Sequence, residues 1–243
     1  MCGRYVSPNE AALNREYLVD ARNSGQRLQR LFEDGRSYNV APTQGVPVVR
    51  VIRKNTGRDS GGARECVEMR WGLVPFWSKG IPPKFSSINA TIEKLENGPT
   101  WRGPWKRGQR CIVPAVGFYE WHVNPDGSKT PYFIEPADKN STFAFAGLWD
   151  ESKADNVDAI VSCTIITMPP NELMAEIHNA KKRMPAILDK DDLETWLTGT
   201  PEQAKTVLKQ YPQEMMHAYI VSSRVNSPRN NDPKLIQPLD AVA

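Results

Sequence analysis

The sequence predicts a mixed fold, strands and short helices together, of the α+β class. Three observations predict it. Runs of β-branched and aromatic residues recur along the chain, most of them bounded by Gly, Pro, Asn or Asp. Helix-start signals occur, but they open short segments. No repeat, low-complexity stretch or linker divides the 243 residues, a length suited to one large domain or two small ones.

The elements follow in order. Ser7-Pro8-Asn9-Glu10 reads as a helix start, with Ser7 as cap, Pro8 in the first turn and Glu10 completing a capping box; the helix runs to about Leu18. Polar sequence follows, then a proline-punctuated loop at 37–43. Residues 46–53 and 66–71 read as two strands joined by a Gly-rich polar loop at 55–63. Residues 86–93 read as the start of a second helical segment. Residues 110–121 read as strand, turn, strand, and Asn124-Pro125-Asp126-Gly127 as a hairpin turn. Strands are expected at 132–135, 142–149 and 159–167, a short helix at 170–177, and another apolar strand through Ile187-Leu188. Asp189 and Thr200 start two helices, ending near Leu197 and Gln210, and 217–222 is the last strand.

Charge and cysteine usage narrow the function classes. A net charge of +3 permits nucleic-acid binding only through a local patch. Cys2, Cys66, Cys111 and Cys163 are scattered, and no Cys/His pair has metal spacing, which argues against zinc; no cofactor is expected. Cys111 and Cys163 lie in apolar strand-like runs, where reduced thiols are the common state. The first ten residues lack a basic start and an apolar stretch, and no run approaches membrane-spanning length. A reducing, cytoplasmic setting is expected, with no membrane partner.

Several residues carry candidate chemistry. Removal of Met1 would leave Cys2 with an α-amine and a thiol on adjacent carbons. That aminothiol can condense with an aldehyde and close a thiazolidine ring, and both groups titrate close enough to neutrality to react, at about 8 and about 8.5. Glu120 is a lone carboxylate between aromatics. It is either an outward residue on an alternating strand or, if inward, a desolvated group suited to proton transfer. His178 sits beside Lys181-Lys182-Arg183, as a helix-end cap or as an acid/base beside a cationic patch. The aromatic stretch 70–77 packs a core edge or offers a base platform, and composition favours packing. The basic, Trp-containing stretch from Trp101 to Arg110 suits either a phosphate-and-base surface or a solvated face.

Taken in order, Met1-Cys2-Gly3-Arg4, Tyr38-Asn39-Val40-Ala41-Pro42, Trp71-Gly72-Leu73-Val74-Pro75, Ile88-Asn89-Ala90, Gly117-Phe118-Tyr119-Glu120-Trp121 and Arg183-Met184-Pro185-Ala186-Ile187-Leu188 form a pattern, closed by Val221-Ser222-Ser223-Arg224-Val225-Asn226 and Ile236-Gln237-Pro238. The pattern resembles the SOS response-associated peptidase (SRAP) family over nearly the whole chain. The resemblance implies one compact α+β domain, residues 1–243, with a β-barrel-like core and peripheral helices. It implies removal of Met1 and a covalent thiazolidine between Cys2 and the ring-opened aldehyde of an abasic site in single-stranded DNA, formed by a monomer. It makes Cys2 the nucleophile, Asn89 the polar group near the amine, and Glu120 and His178 the proton-transfer pair. Arg4, Asn39, Pro42, Trp71 and Trp77 would line the DNA groove, flanked by Lys181, Lys182 and Arg183.

Two departures from the family pattern stand out. Many members carry an arginine two residues after the Asn of Ile-Asn-Ala, where this chain has Thr91, with Lys94 nearby as a substitute. Members often place the histidine two residues before the arginine of Arg-Met-Pro, whereas here His178 lies five before Arg183 and the added Lys181-Lys182 supply charge. Two other function classes compete. One is a cysteine peptidase built on Cys2, His178 and Glu120, with self-removal of Met1 as its minimal form. The other is a non-covalent reader of single-stranded or modified DNA.

Overall fold

The computed structural model describes residues 2–19, 26–33, 35–52, 63–155 and 158–239. Met1 and residues 55–62 of the expected polar loop lie outside them. The strands are β1 (Tyr5–Val6), β2 (Gly45–Val51), β3 (Arg64–Trp71), β4 (Asn89–Thr91), β5 (Arg110–Ala115), β6 (Gly117–Val123), β7 (Lys129–Pro136), β8 (Phe143–Ser152), β9 (Ile160–Met168), β10 (Met184–Pro185), β11 (Ile187–Leu188) and β12 (Met216–Ile220). The helices are α1 (Glu10–Tyr17), α2 (Gln26–Phe32), α3 (Arg102–Lys106), α4 (Glu172–Ile177), α5 (Leu193–Thr198) and α6 (Pro201–Thr206).

Five strands close a barrel. β2 pairs with β3, β3 runs parallel to β9, β9 pairs with β8, β8 with β5, and β5 returns to β2 through Val49 and Ile112. Closure removes the exposed edges that an open sheet would present. β4, β10 and β11 extend the ends of the two longest barrel strands. A second sheet, in the order β1-β6-β7-β12, packs against the barrel. Phe118 of β6 joins them, with its ring 5.7 Å from that of Phe145 on β8. Tyr119, the next residue along β6, faces the opposite side and packs in a smaller cluster with Phe133, Val221, Val225 and Leu235. β6 is therefore covered on both faces around its first half. Gly117, where β6 begins, is sterically required: a Cβ there would lie 2.4 Å from the Phe133 ring and 2.5 Å from the Ile134 carbonyl oxygen.

Several expectations change. Asn9, not Ser7, caps α1 and accepts from the Ala12 N–H, while the Ser7 hydroxyl accepts from Ser37 N–H. Residues 86–93 are not helical; they hold β4, parallel to β9, followed by a single 3₁₀ turn. The pairing partner β9 outweighs the local capping signal there. The basic, Trp-containing stretch is not a base platform. Trp101 and Trp105 are buried, Arg107 pairs with Asp150, and Arg110 is buried on the Trp196 and Gly199 carbonyls. Helices α2 and α3 fall in stretches read as merely polar or basic. All four cysteines are free and buried. Among the described residues no helix is long and apolar enough to cross a membrane.

Candidate active site

The edge of β6 organises the site. Odd-numbered residues of β6 turn their backbone groups away from β7, because the hairpin bonds to β7 use the alternate residues. At Tyr119 that edge is taken by the N-terminal segment, since Tyr119 N–H donates to the Arg4 carbonyl at 3.0 Å. At Val123 it is taken by Asn179, the residue after His178. Glu120 lies between these two attachments. Period-two geometry places it on the same face as Phe118, toward the barrel. The chain start, the carboxylate and the histidine thus meet along one strand.

Cys2 is 1% exposed, and its thiol lies 3.9 Å from the Arg4 carbonyl. Asn89, at the start of β4, donates from Nδ2 to the Cys2 carbonyl at 2.9 Å. Its Oδ1 is buried without a hydrogen-bond partner, a costly arrangement in a native interior. Burial pushes the Cys2 thiol far above the ordinary cysteine range, and the nearby Glu120 charge pushes it further. The thiol is therefore protonated at neutral pH.

His178 caps the end of α4, with its N–H donating to the Met174 carbonyl. Its Nδ1 lies 2.8 Å from the Arg183 carbonyl oxygen. A carbonyl only accepts, so Nδ1 carries the proton and the neutral ring presents a lone pair at Nε2. Nε2 is 3.6 Å from Glu120 Oε2. Burial raises the Glu120 carboxyl to about 7, a shift partly offset by the charge of Lys181. Burial lowers the His178 imidazolium, helped by Lys181 and opposed by the Arg183 carbonyl. Around neutral pH the pair holds a carboxyl poised to give or take a proton beside a neutral imidazole. Above it opens a groove of about 400 Å³ lined by Glu120, Trp121, Lys129, His178, Lys181 and Asn226 among others.

The other predicted residues divide. Lys181, which lines the groove, and its neighbour Lys182 are exposed. Arg183 is already engaged: its guanidinium forks onto Glu93 at 2.7 and 3.1 Å and also reaches the Thr167 carbonyl. That pairing holds the Glu93 carboxyl down at about 2. Arg4 donates to Asn39 Oδ1 at 2.8 Å and to the Val225 carbonyl at 2.9 Å, and Asn39 Nδ2 donates to the Ser227 and Asn230 carbonyls. Both side chains stitch the chain start to the 225–230 loop. Pro42 is half-buried. Trp71 is a correction: it is fully buried, donates from Nε1 to the Ile88 carbonyl and packs edge-on against Tyr5, so no face of its ring is open to a base. Trp77 is 56% exposed, on a loop with the exposed Phe76, Ile81 and Phe85. Leu73 N–H donates to the Ser87 carbonyl at the neck of this loop, two residues before Asn89.

Sequence reasoning missed Lys129, Asn179, Glu93 and the bond from Trp121 Nε1 to Asn226 Oδ1 at 2.8 Å. The motifs containing Trp121 and Asn226 were visible. Nothing local marked Lys129, which enters the groove only because it pairs with Val123 across the hairpin.

Comparison with known proteins identifies the family. The chain is 37% identical over 240 residues to the abasic site processing protein YoqW of Bacillus subtilis, covering 98% of this chain and 99% of that one. It is 33% identical to the abasic site processing protein HMCES of Gallus gallus, across 99% of this chain and 78% of that one. A crystal structure of a Bacteroides thetaiotaomicron protein superposes with a TM-score of 0.77 at 25% identity, covering 98% of this chain and 100% of that one. Residues 1–228 match the family described as SOS response associated peptidase, and the chain belongs to that SRAP family.

Proposed function

We propose that this protein processes abasic sites by capturing them covalently on Cys2 in single-stranded DNA. The observation that carries the reading is buried Cys2, held by Asn89 and close enough to feel the Glu120 charge, behind a Glu120–His178 pair that lines a groove shared with Lys129 and Lys181. The names of its relatives support the same substrate.

Removal of Met1 frees the Cys2 amine, for which the unpartnered Asn89 Oδ1 is an available acceptor. The abasic sugar rests mainly as a closed hemiacetal. His178 Nε2 takes the C1′ hydroxyl proton while the Glu120 carboxyl protonates the ring oxygen, which opens the aldehyde. The amine adds to C1′, and acid-assisted loss of one water gives an iminium. The Cys2 thiol then adds to the iminium carbon, its proton leaving to the Glu120–His178 pair, and the five-membered ring closes. One aldehyde and one aminothiol give one thiazolidine and one water. Lys181, Lys182 and Lys129 meet phosphates, and Trp77 offers a stacking face. The aldehyde supplies selectivity.

A general cysteine peptidase would need Cys2 open to a peptide substrate, and Cys2 is 1% exposed. Self-removal of Met1 needs only a single turnover and fits the same residues.

The test pairs intact mass, which reads loss of Met1, with a denaturing gel of protein mixed with single-stranded abasic DNA. A shifted band in processed wild type and none in Cys2→Ala is the expected result. Complete loss of Met1 without any shifted band sinks the covalent reading in favour of non-covalent DNA binding.

A further inference from the structure

We propose that Asn179 is a positioning residue that docks the His178 loop onto β6 and so sets the approach of His178 to Glu120. This chain places the histidine five positions before Arg183, with four residues between them, and a loop of that length needs an anchor. The structure supplies one. Asn179 Oδ1 accepts from Val123 N–H at 3.0 Å, and its Nδ2 donates to the Val123 carbonyl at 2.9 Å. A side-chain amide presents a carbonyl and an N–H side by side, as a neighbouring strand would, and here it completes the edge of β6. An aspartate lacks the donor, and a glutamine is one methylene too long.

A second contact fixes which way the amide faces. His122 Nδ1 lies 3.0 Å from the Glu176 carbonyl and so carries its proton; Nε2 is left to accept from Asn179 Nδ2, 3.5 Å away. The loop is closed at its other end by Lys182 N–H donating to the His178 carbonyl and by the His178 ring on the Arg183 carbonyl. Lys182 takes a left-handed backbone, φ 48°, to make that closure. Glu120 and Val123 lie on one rigid strand, three residues apart, and His178 and Asn179 are adjacent. Fixing Asn179 on Val123 therefore fixes His178 relative to Glu120.

The kinetic arm of the test rests on the crosslinking reading, and the spectroscopic arm does not. Asn179→Ala and Asn179→Asp should slow adduct formation roughly 10–100-fold, the cost of a displaced catalytic group. Affinity for an oligonucleotide carrying a tetrahydrofuran, which has no aldehyde, should stay within about twofold, so the loss appears in the chemical step. In a His178→Ala background, Asn179→Ala should add less than about twofold, because the group it positions is gone. Equal slowing with and without His178 overturns the proposal. Independently of any adduct, an NMR titration of the His178 ring should move toward the ordinary imidazole value, about 6.5, in Asn179→Ala as the loop opens to water. A ring titration unchanged from wild type overturns the proposal even if the wild type forms no crosslink, an outcome that by itself would count only against the function proposed above.

Discussion

The Nε2 atom of His178 lies 3.6 Å from Oε2 of Glu120, and both side chains are buried. The pair has a consequence for stability as well as for chemistry. The folded Glu120 carboxyl titrates at about 7, against about 4.3 in an unfolded chain. Between those values the folded protein keeps a proton that the unfolded chain has released. Stability therefore falls as pH rises through that window. Glu120→Gln removes the titration, so its Tm should exceed that of wild type at pH 8 and fall level or below at pH 5. The difference between the two pH values is on the order of 1–3 kcal/mol. The same variant should slow crosslinking by roughly 10²–10⁴-fold. Parallel thermal melts at the two pH values, with a gel time course, check both halves.

Cys2 has two reactive groups, and they can be separated. Processed Cys2→Ala keeps the α-amine and loses the sulfur. It should give an adduct trapped by borohydride, which reduces an imine, and none that survives heating without reductant. Wild type should give the reverse ratio, because its ring is closed before reductant arrives. A heat-stable adduct in Cys2→Ala would falsify the thiazolidine.

Asn89 connects the chain start to β4. Its Nδ2 donates to the Cys2 carbonyl, and truncation would leave that carbonyl buried without its donor. Asn89→Ala should cost about 1–3 kcal/mol in denaturant unfolding and slow crosslinking as Cys2 loosens. Unchanged stability would mean that water replaces the amide without penalty.

The barrel strands were legible in the sequence, and the geometry that joins them to the chain start was not. β2, β3, β8 and β9 are long enough to display their patterns, so their existence followed from residue type. β1 and β4 have two and three residues, too few for a period, and β4 borrows its structure from β9. Glu120 was ambiguous for a definite reason. Alternation says which residues share a face, but β6 is covered on both sides, so apolar neighbours could not tell which face looks into the site. The family resemblance put the Arg183 guanidinium and the Trp71 indole at the DNA groove, although composition favoured packing for the 70–77 stretch and Trp71 is packed. Each has the residue type that DNA binding wants, and each is consumed by a partner distant in sequence, Glu93 for one and the Ile88 carbonyl for the other.

Lys181 and Arg183 should therefore behave differently toward DNA. Lys181 is exposed at the groove, and its charge acts on both Glu120 and His178. Lys181→Ala should flatten the salt dependence of single-strand binding by about 0.7 in log–log slope, the contribution of one phosphate contact. It should also move the Glu120 titration upward, because Lys181 favours the carboxylate. Arg183→Ala should leave the slope within about 0.2 of wild type and lower the Tm, since the guanidinium ties Glu93 to the Thr167 carbonyl. Fluorescence titrations between low and moderate salt distinguish the two, and a slope loss confined to Arg183→Ala would reverse the assignment.

The two tryptophans of the 71–77 stretch should separate binding from folding. Trp77 is more than half exposed at a loop whose neck closes beside Asn89, and its neighbours Phe76, Ile81 and Phe85 are exposed too. Stacking of a base on an indole contributes about 1–3 kcal/mol. Trp77→Ala should weaken single-strand binding by roughly 5–150-fold, with unfolding free energy within about 0.5 kcal/mol of wild type. Trp71 is enclosed by the barrel and edge-packed on Tyr5 at 5.3 Å between ring centroids. Trp71→Ala should cost about 3–5 kcal/mol of stability and disturb the Tyr5 segment that carries Cys2. Its crosslinking should fall with the fraction folded and recover on cooling, whereas the Trp77→Ala defect should recover with added DNA. If excess DNA fails to restore Trp77→Ala, the loop acts on the chemistry of Cys2, and the stacking role is wrong.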